Sequence, residues 1–366
     1  MRSALLREPG GALSVEDVEP ATLQPDEILV RIAGVGVCHT DLAGLSGAVP
    51  LPLPAVLGHE GAGVVEQVGE SVTEPAIGDH VVLSFDSCRE CASCRSGHPA
   101  YCELFAALNY FGNRLDGTTT LRQGDADVHG SWFGQSSFGT HAVASARNAV
   151  KVDKDLPLEL LGPLGCGVLT GAGTVLNALR PQAGQGIGVW GLGAVGLSAV
   201  MAAKVAGCDP IVGVDINPAR LDLALELGAT HVLDPAETKD VVWDILELTD
   251  GGLHHTVDAV GLGSVIRQAL GVLRSPGTCA TVGLQGLENE ITVDQGHLLL
   301  GRTLKGVIEG DADPHVFIPR LTRLWRSGVF PFDRLVKTFP FAAVNEALDA
   351  ARRGEVVKPV LFPDAG

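Results

Sequence analysis

The stretch Gly186-Ile-Gly-Val-Trp190-Gly191-Leu-Gly193-Ala-Val-Gly196, continuing as Leu-Ser-Ala-Val-Met-Ala-Ala203, decides the reading of this chain. From Ala183 to Ala203 there is no charged residue, so hydropathy alone would allow a membrane span. The glycines exclude a continuous helix: Gly184, Gly186, Gly188, Gly191, Gly193 and Gly196 crowd the first two thirds, and only the part after Gly193 reads helical. A strand, a tight turn and a helix satisfy the pattern. Gly191, Gly193 and Gly196 have Gly-x-Gly-x-x-Gly spacing, and Asp215 stands about 20 residues beyond the last of them, at the end of the next apolar run. In that setting the first glycine permits the turn, the second lets backbone approach a pyrophosphate, and the third allows close helix-to-strand packing. The competing reading is a glycine-rich packing turn followed by a helix-capping aspartate. Asp215 would accept ribose hydroxyls and repel a 2′-phosphate, which favours NAD over NADP, whereas Arg220 could tolerate some phosphate or simply face solvent.

Downstream of the fingerprint, strand-like and helical stretches alternate. Strands are expected at Ile187–Trp190, Ile211–Asp215, His231–Leu233, His255–Val260, Thr278–Gly283 and Thr303–Ile308, with helices after Gly193, from Pro218 to Gly228, and around Val241 and Val265. This is the rhythm of a doubly wound parallel α/β sheet. The chain up to Val150 differs: Glu27–Val35, Gly61–Val68, His80–Phe85 and Thr140–Ala144 are short, β-branched and bounded by turn residues, as in an irregular all-β domain. Asn113–Gly130 reads as a solvated surface loop. The segment after Gly310 is too short for a third core and is expected to pack on the first domain. The expected division is 1–167 with 309–366 in one domain and 168–308 in the other.

Composition narrows the function. The 366 residues are 46% apolar and 19% charged, enough apolar surface for two cores. Asp and Glu outnumber Lys and Arg by 43 to 26, and the net charge of −17 disfavours nucleic acid and anionic lipid as partners. Arg2, Arg7 and Glu8 interrupt the N-terminus, so no signal peptide is read there and a cytoplasmic location is expected.

Eight cysteines are present, and half of them cluster as Cys88-x-x-Cys91-x-x-Cys94-x7-Cys102. Thiolates so spaced can converge tetrahedrally on a structural zinc; disulfides or a nucleic-acid-binding ribbon are the alternatives, opposed by the compartment and the charge. Cys38 and Cys166 stand in glycine-flanked settings, as does His59 in Gly58-His59-Glu60. Singly, each has an ordinary reading as a buried small or structural residue. Together a Cys, His, Cys set leaves one zinc position open for chemistry. Cys208 and Cys279 read as core residues.

Gly36-Val-Cys38-His-Thr-Asp41, Gly58-His-Glu60-Gly-Ala-Gly63, the four-cysteine lobe, Gly165-Cys166-Gly167 and Gly191-Leu-Gly-Ala-Val-Gly196 resemble the zinc-dependent medium-chain alcohol dehydrogenases from about residue 25 onward. Within them, Phe133-Gly-Gln-Ser-Ser-Phe-Gly-Thr-His141 and Leu160-Leu-Gly-Pro-Leu-Gly-Cys166-Gly look most like the benzyl (aryl) alcohol dehydrogenases. The resemblance implies a GroES-like catalytic domain beside a Rossmann domain, two zinc ions per chain, and a homodimer or homotetramer. It implies that Cys38, His59 and Cys166 hold the catalytic zinc, with Glu60 beside it, Asp41 orienting His59 and Thr40 meeting the alcohol. His39, Thr170, Val195, Val260, Val282, Leu284 and Lys358 would serve the cofactor together with the fingerprint residues. Phe85, Trp132, Phe133, Leu284 and Ile308 would line the substrate channel. Ala43 replaces a proton-relay histidine of many relatives, His39 replaces a pyrophosphate-binding arginine, and Lys358 stands at a position often held by arginine. The implied reaction is reversible oxidation of a primary aromatic alcohol to its aldehyde with NAD. Terpenoid, allylic or aliphatic alcohols are the enzyme alternatives, and a zinc-stabilised NAD-binding sensor or structural protein is the non-enzyme one.

Overall fold

The computed structural model describes residues 1–286 and 288–363; residues 364–366 of the expected C-terminal segment lie outside these. The described residues fall into two compact units, Met1–Cys166 with Asp313–Arg320 and Asp333 onward, and Gly167–Ala312 with Leu321–Phe332. Residues 309–312 and 321–332 thus group with the nucleotide-type unit rather than with the expected catalytic one. Buried Leu321, Phe330 and Phe332 account for the second segment, whose Trp325 ring packs 5.5 Å from that of Phe332.

The first unit is built on a mixed sheet whose opening strands are β1 (Glu27–Gly36), β2 (Glu60–Val68), β3 (His80–Leu83), β4 (His141–Ser145) and β5 (Ala149–Val152). β-Branched residues along β1 and β2 place Ile28, Val30, Val35 and Val65 in the core. β1 and β2 pair antiparallel from Ile28↔Val68 to Gly36↔Glu60, with two bulges. Their ends, followed by helix α1 (His39–Ser46), bring Cys38 and His59 to one edge. The expected loop at 113–130 instead contains a hairpin, Leu121–Gln123 paired with Ala126–Val128. Leu121 and Val128 are buried and Gly124 takes the left-handed turn conformation, so this segment contributes apolar contacts rather than only solvated chain.

The second unit begins with α2 (Gly167–Gly173) and continues through β6 (Ile187–Trp190), α3 (Ala194–Ala206), β7 (Ile211–Val214), α4 (Pro218–Leu227) and β8 (His231–Leu233). Beyond these lie α5 (Val241–Leu248), β9 (Leu253–Asp258), α6 (Gly263–Gly271), β10 (Leu273–Thr281) and β11 (Arg302–Gly306). All neighbouring strands are parallel, in the order β8-β7-β6-β9-β10-β11. The strand order reverses between β6 and β9, the switch point at which such folds bind nucleotides. Helix starts follow local chemistry: Asn217 caps α4 through Ala219 N at 3.0 Å with Pro218 at the first position, and Asp240 caps α5. No helix among the described residues is long and apolar enough to cross a membrane.

The chain returns to the first unit as α7 (Pro314–Arg326) starts, and ends with β12 (Val336–Pro340), α8 (Val344–Arg352) and β13 (Lys358–Phe362). β13 pairs antiparallel with β1 at Leu361↔Val35, which completes the sheet order β5-β3-β2-β1-β13-β12, with β4 also on β1.

The turn between β6 and α3 leaves no room for a side chain at Gly196: a Cβ there would lie 1.8 Å from Gly191 O. Gly196→Ala must therefore push α3 off the strand. Expected is a loss of about 1–3 kcal/mol in the urea unfolding of the second unit; an unchanged midpoint would show that the turn yields without cost.

Candidate active site

Three metal-binding side chains meet at the edge built by β1, β2 and α1. Cys38 precedes α1, His59 precedes β2, and Cys166 follows the helical turn Gly162–Gly165, whose Gly165 O accepts the Ser84 hydroxyl at 2.6 Å. The ligand atoms of Cys38, His59 and Cys166 all lie within 4.8 Å of one another. His59 is wholly buried; its Nδ1 is 2.8 Å from Asp41 Oδ1, while Nε2 is buried and has no hydrogen-bond partner. A carboxylate on Nδ1 fixes the proton there and leaves the Nε2 lone pair free for a cation. Two sulfurs and one such nitrogen fit zinc.

The electrostatics agree. The Cys38 thiol sits well below its ordinary range because Cys166 hydrogen-bonds to it, with help from Lys358 and His59 against burial. Burial works against charge on His59, yet Asp41 and Cys38 outweigh it and hold its pKa well above the usual value. The same negative groups that draw a proton onto His59 attract a dication in its place.

Asp41 is the hub beneath these ligands. Wholly buried, it accepts from Cys38 N at 3.0 Å, Gly58 N at 3.1 Å and Trp132 Nε1 at 3.1 Å, besides His59. Glu60, also wholly buried, pairs with Lys358, whose Nζ donates to Oε1 at 2.7 Å, to Oε2 at 2.8 Å and to Val37 O at 3.0 Å. Burial raises the Glu60 pKa and Lys358 counters it; burial opposes the Lys358 charge, but Glu60 and the two thiols keep its pKa raised. The Glu60 carboxylate lies where a Cβ on Gly36 would be, 2.0 Å from Oε2, so glycine is required there. Lys358 therefore supports Glu60 and the backbone beside Cys38. Thr40 Oγ1 is 3.8 Å from Cys38 Sγ and half-buried, His39 is exposed at the start of α1, and Ala43 is half-buried on the same helix.

The other four cysteines converge as well, all ligand sulfurs lying within 4.8 Å. Cys88 Sγ accepts from Cys91 N at 3.3 Å and Cys102 Sγ from Cys88 N at 3.3 Å and Leu104 N at 3.4 Å. Backbone N–H groups directed at sulfur stabilise thiolates, and those of Glu103 and Cys94 bring Cys91 down to about 6. Burial instead pushes Cys94 up to about 12. Four sulfurs with no open position suit a structural zinc.

Of the expected channel rings, Phe133 stacks on His59 with centroids 4.3 Å apart and planes at 21°. Phe85 packs 5.9 Å from Phe105, which in turn meets the edge of Phe133 at 6.4 Å. Trp132 is wholly buried, as Phe85 and Phe133 are nearly so, and directs its polar edge to Asp41 behind the ligand cluster.

In the second unit, Asp215 follows β7 with Oδ2 accepting from Leu192 N at 2.6 Å and Oδ1 from Asn217 N at 2.9 Å. Each oxygen keeps a lone pair for a ribose hydroxyl. Arg220 Nη1 is 3.9 Å from Asp215, and its Nε is buried without a partner. Gly191, Gly193 and Val195 surround the start of α3, where a Cβ on Gly193 would meet open space, the cradle a pyrophosphate needs. Thr170 Oγ1 lies 3.4 Å from Glu309 Oε2. Val260, Val282, Leu284 and Ile308 are half-buried beyond the strand ends.

Sequence reasoning missed Asp258. This buried carboxylate accepts from Val260 N and Gly261 N, both at 3.0 Å, and from the Thr281 hydroxyl at 2.8 Å, so it fixes the two loops that carry Val260 and Val282. Its position at the end of a parallel strand, like that of Asp215, was the available signal. Gln135, missed too, bonds His59 O at 2.9 Å and accepts from Gly61 N at 3.1 Å.

Comparison with known proteins decides the family. The sequence matches the alcohol dehydrogenase GroES-like domain over residues 24–154 and the zinc-binding dehydrogenase domain over residues 194–325. The chain belongs to the zinc-dependent medium-chain alcohol dehydrogenases. It is 50% identical over 362 residues to geraniol dehydrogenase of Castellaniella defragrans, covering 98% of this chain and 97% of that one. Among solved structures, benzyl alcohol dehydrogenase from Acinetobacter calcoaceticus superposes with a TM-score of 0.95 at 44% identity over 99% of this chain and 98% of that one. An alcohol dehydrogenase zinc-binding domain protein from Burkholderia ambifaria gives 0.96 at 48% identity, covering 99% and 98% of the two chains. This member of the family thus combines a GroES-like domain with a Rossmann-type domain.

Lys358→Met removes the ammonium from the Glu60 carboxylate while keeping the stem. A buried charge left alone costs about 3–5 kcal/mol. Chemical unfolding of this variant should show such a loss, and Lys358→Met combined with Glu60→Gln should recover most of it. Equal stability of the single variant and the parent would mean that the pair contributes nothing.

Proposed function

We propose that this enzyme oxidises primary alcohols whose carbinol carbon is attached to an sp² carbon, aromatic ones above all, to the corresponding aldehydes with NAD, and that each chain carries a catalytic and a structural zinc. The observation that supports it most directly is the buried His59 Nε2, unpartnered between two thiol sulfurs. Zinc at these three residues supplies a Lewis acid that acidifies the alcohol and polarises the product carbonyl. Asp41 keeps His59 in the ligating tautomer, and Lys358 neutralises Glu60 so that its charge does not compete for the cation. Thr40 Oγ1 receives the hydroxyl proton and passes it to water, since Ala43 offers no imidazole. Asp215 and the Gly191–Gly196 turn hold the NAD to which the hydride is transferred; alcohol and NAD⁺ thereby become aldehyde, NADH and a proton.

Phe133 lies flat on His59 beside the ligands, and this reading places the substrate's aryl group against the edge of its ring. Ring contacts with an aryl group are worth on the order of 1 kcal/mol each. The names of two relatives point the same way, because benzyl alcohol and geraniol both carry an unsaturated carbon next to the carbinol. The geraniol name supports a second, allylic reading. Steady-state kinetics should give kcat/KM for benzyl alcohol more than tenfold above ethanol. Geraniol exceeding benzyl alcohol by that margin would replace the aromatic reading with the allylic one, and comparable values for ethanol would reject both. NADH binding without turnover of any alcohol would point to a sensor.

Cofactor choice is tested at Asp215. Asp215→Ser removes the negative charge that opposes a 2′-phosphate and frees Arg220, 3.9 Å away, so the ratio of kcat/KM for NAD over NADP should fall at least tenfold. An unchanged ratio would remove Asp215 from that role.

A further inference from the structure

The turn from Trp132 to Ser137 adopts an unfavourable backbone. Phe133, Gly134 and Ser136 have φ of 52°, 63° and 48°. For a ring as bulky as phenylalanine this left-handed region is rarely occupied. Such outliers persist only where surrounding bonds hold them, and they cluster where geometry serves a site. Here the Ser136 hydroxyl accepts from Trp132 N at 2.8 Å and donates to Val56 O at 2.6 Å, while Asn148 Nδ2 donates to Gly134 O at 3.1 Å.

What this turn delivers is contact with His59 from several sides. Phe133 covers a ring face at 4.3 Å, the Trp132 ring meets the edge at 6.4 Å and 80°, and Gln135 Nε2 holds the His59 carbonyl at 2.9 Å. The Trp132 indole N–H reaches the same Asp41 oxygen, at 3.1 Å, that His59 Nδ1 reaches at 2.8 Å. Both Trp132 and Asp41 are 0% exposed, so this bond is shielded from bulk solvent.

We propose that Trp132 is a positioning residue for the metal centre: its indole N–H fixes the Asp41 carboxylate, and through it the plane and tautomer of His59. Four donors fix the carboxylate; with the indole N–H removed, Cys38 N, Gly58 N and His59 Nδ1 still hold it, but Oδ1 keeps two donors instead of three and constrains the imidazole less tightly. Loss of the group bonded directly to a metal ligand, here Asp41, typically costs about 10–100-fold in metal affinity, and loss of the Trp132 N–H, one bond further back, weakens that same hold by a smaller factor. The inference rests on the zinc reading given above.

The test uses full-length, zinc-loaded enzyme and three replacements. Trp132→Phe deletes the N–H and part of the ring. Replacing the Trp132 indole by benzothiophene, through benzothienylalanine incorporation, deletes the N–H alone and keeps the fold where phenylalanine does not. Trp190→Phe is the matched control, since that residue is 2% exposed and its Nε1 has no partner. Zinc transfer to a chelator, the visible spectrum after cobalt substitution and Tm are measured for each. Both replacements at 132 should release one zinc faster, by up to about tenfold, and shift the cobalt bands, whereas Trp190→Phe leaves both readouts at the parent values whatever its Tm. Parental zinc release and cobalt bands in the benzothienyl enzyme would overturn the inference, as would equal changes in the Trp190 control. Parent enzyme that holds no zinc would instead reject the metal reading on which it rests.

Discussion

Burial of charge without water is the constraint on which the first unit depends. Asp41, His59 and Glu60 are all wholly buried, and two thiols stand beside them. Lys358 offsets part of this negative charge through direct bonds, and its ammonium is committed to Glu60. Asp41 and the Cys38 thiolate leave negative charge that a proton on His59, or a cation in its place, would balance. A dication between Cys38, His59 and Cys166 would meet both the charge and the unpartnered His59 nitrogen, and would then link the chemistry of this edge to its stability.

The two cysteine-containing sites solve different problems with the same atom type. Around Cys88, Cys91, Cys94 and Cys102 the neighbours are backbone N–H groups, which stabilise thiolate charge without adding a side chain. Around Cys38 and Cys166 the neighbours are ionised side chains, which can be tuned by substitution. The first arrangement follows from close spacing in the chain. The second needs three distant segments brought together by the sheet.

That difference explains what was legible in the sequence. The strand at Ile187–Trp190 and the helix after Gly193 stand where the sequence places them, because glycine spacing and apolar runs are local signals. The convergence of the four clustered cysteines is local in the same sense. Strand ends were less legible: the expected His255–Val260 lies at Leu253–Asp258, because a capping carboxylate and not hydropathy ends it. The hairpin at 121–128 was hidden by its polar residues, Leu121 and Val128 alone among its strand residues being buried. Trp132 was legible as an aromatic residue near the site, but not as a hydrogen-bond donor, since Asp41 lies 91 positions away and no local pattern encodes such a meeting.

The Lys358 bond to Glu60 spans 298 positions of chain. On a ribosome adding about 5–20 residues per second, Glu60 is made on the order of 15–60 seconds before its partner. During that interval no ammonium from Lys358 is available to this carboxylate, which must stay hydrated or hold a proton. The sheet edge at β1 and β2 thus cannot close in its final form while the middle of the chain is being translated. The nucleotide-type unit, most of whose strands are contiguous, can assemble first, so the order of maturation runs against the order of synthesis. A chaperone or protease encountering the nascent protein would meet a finished second unit and an open first one.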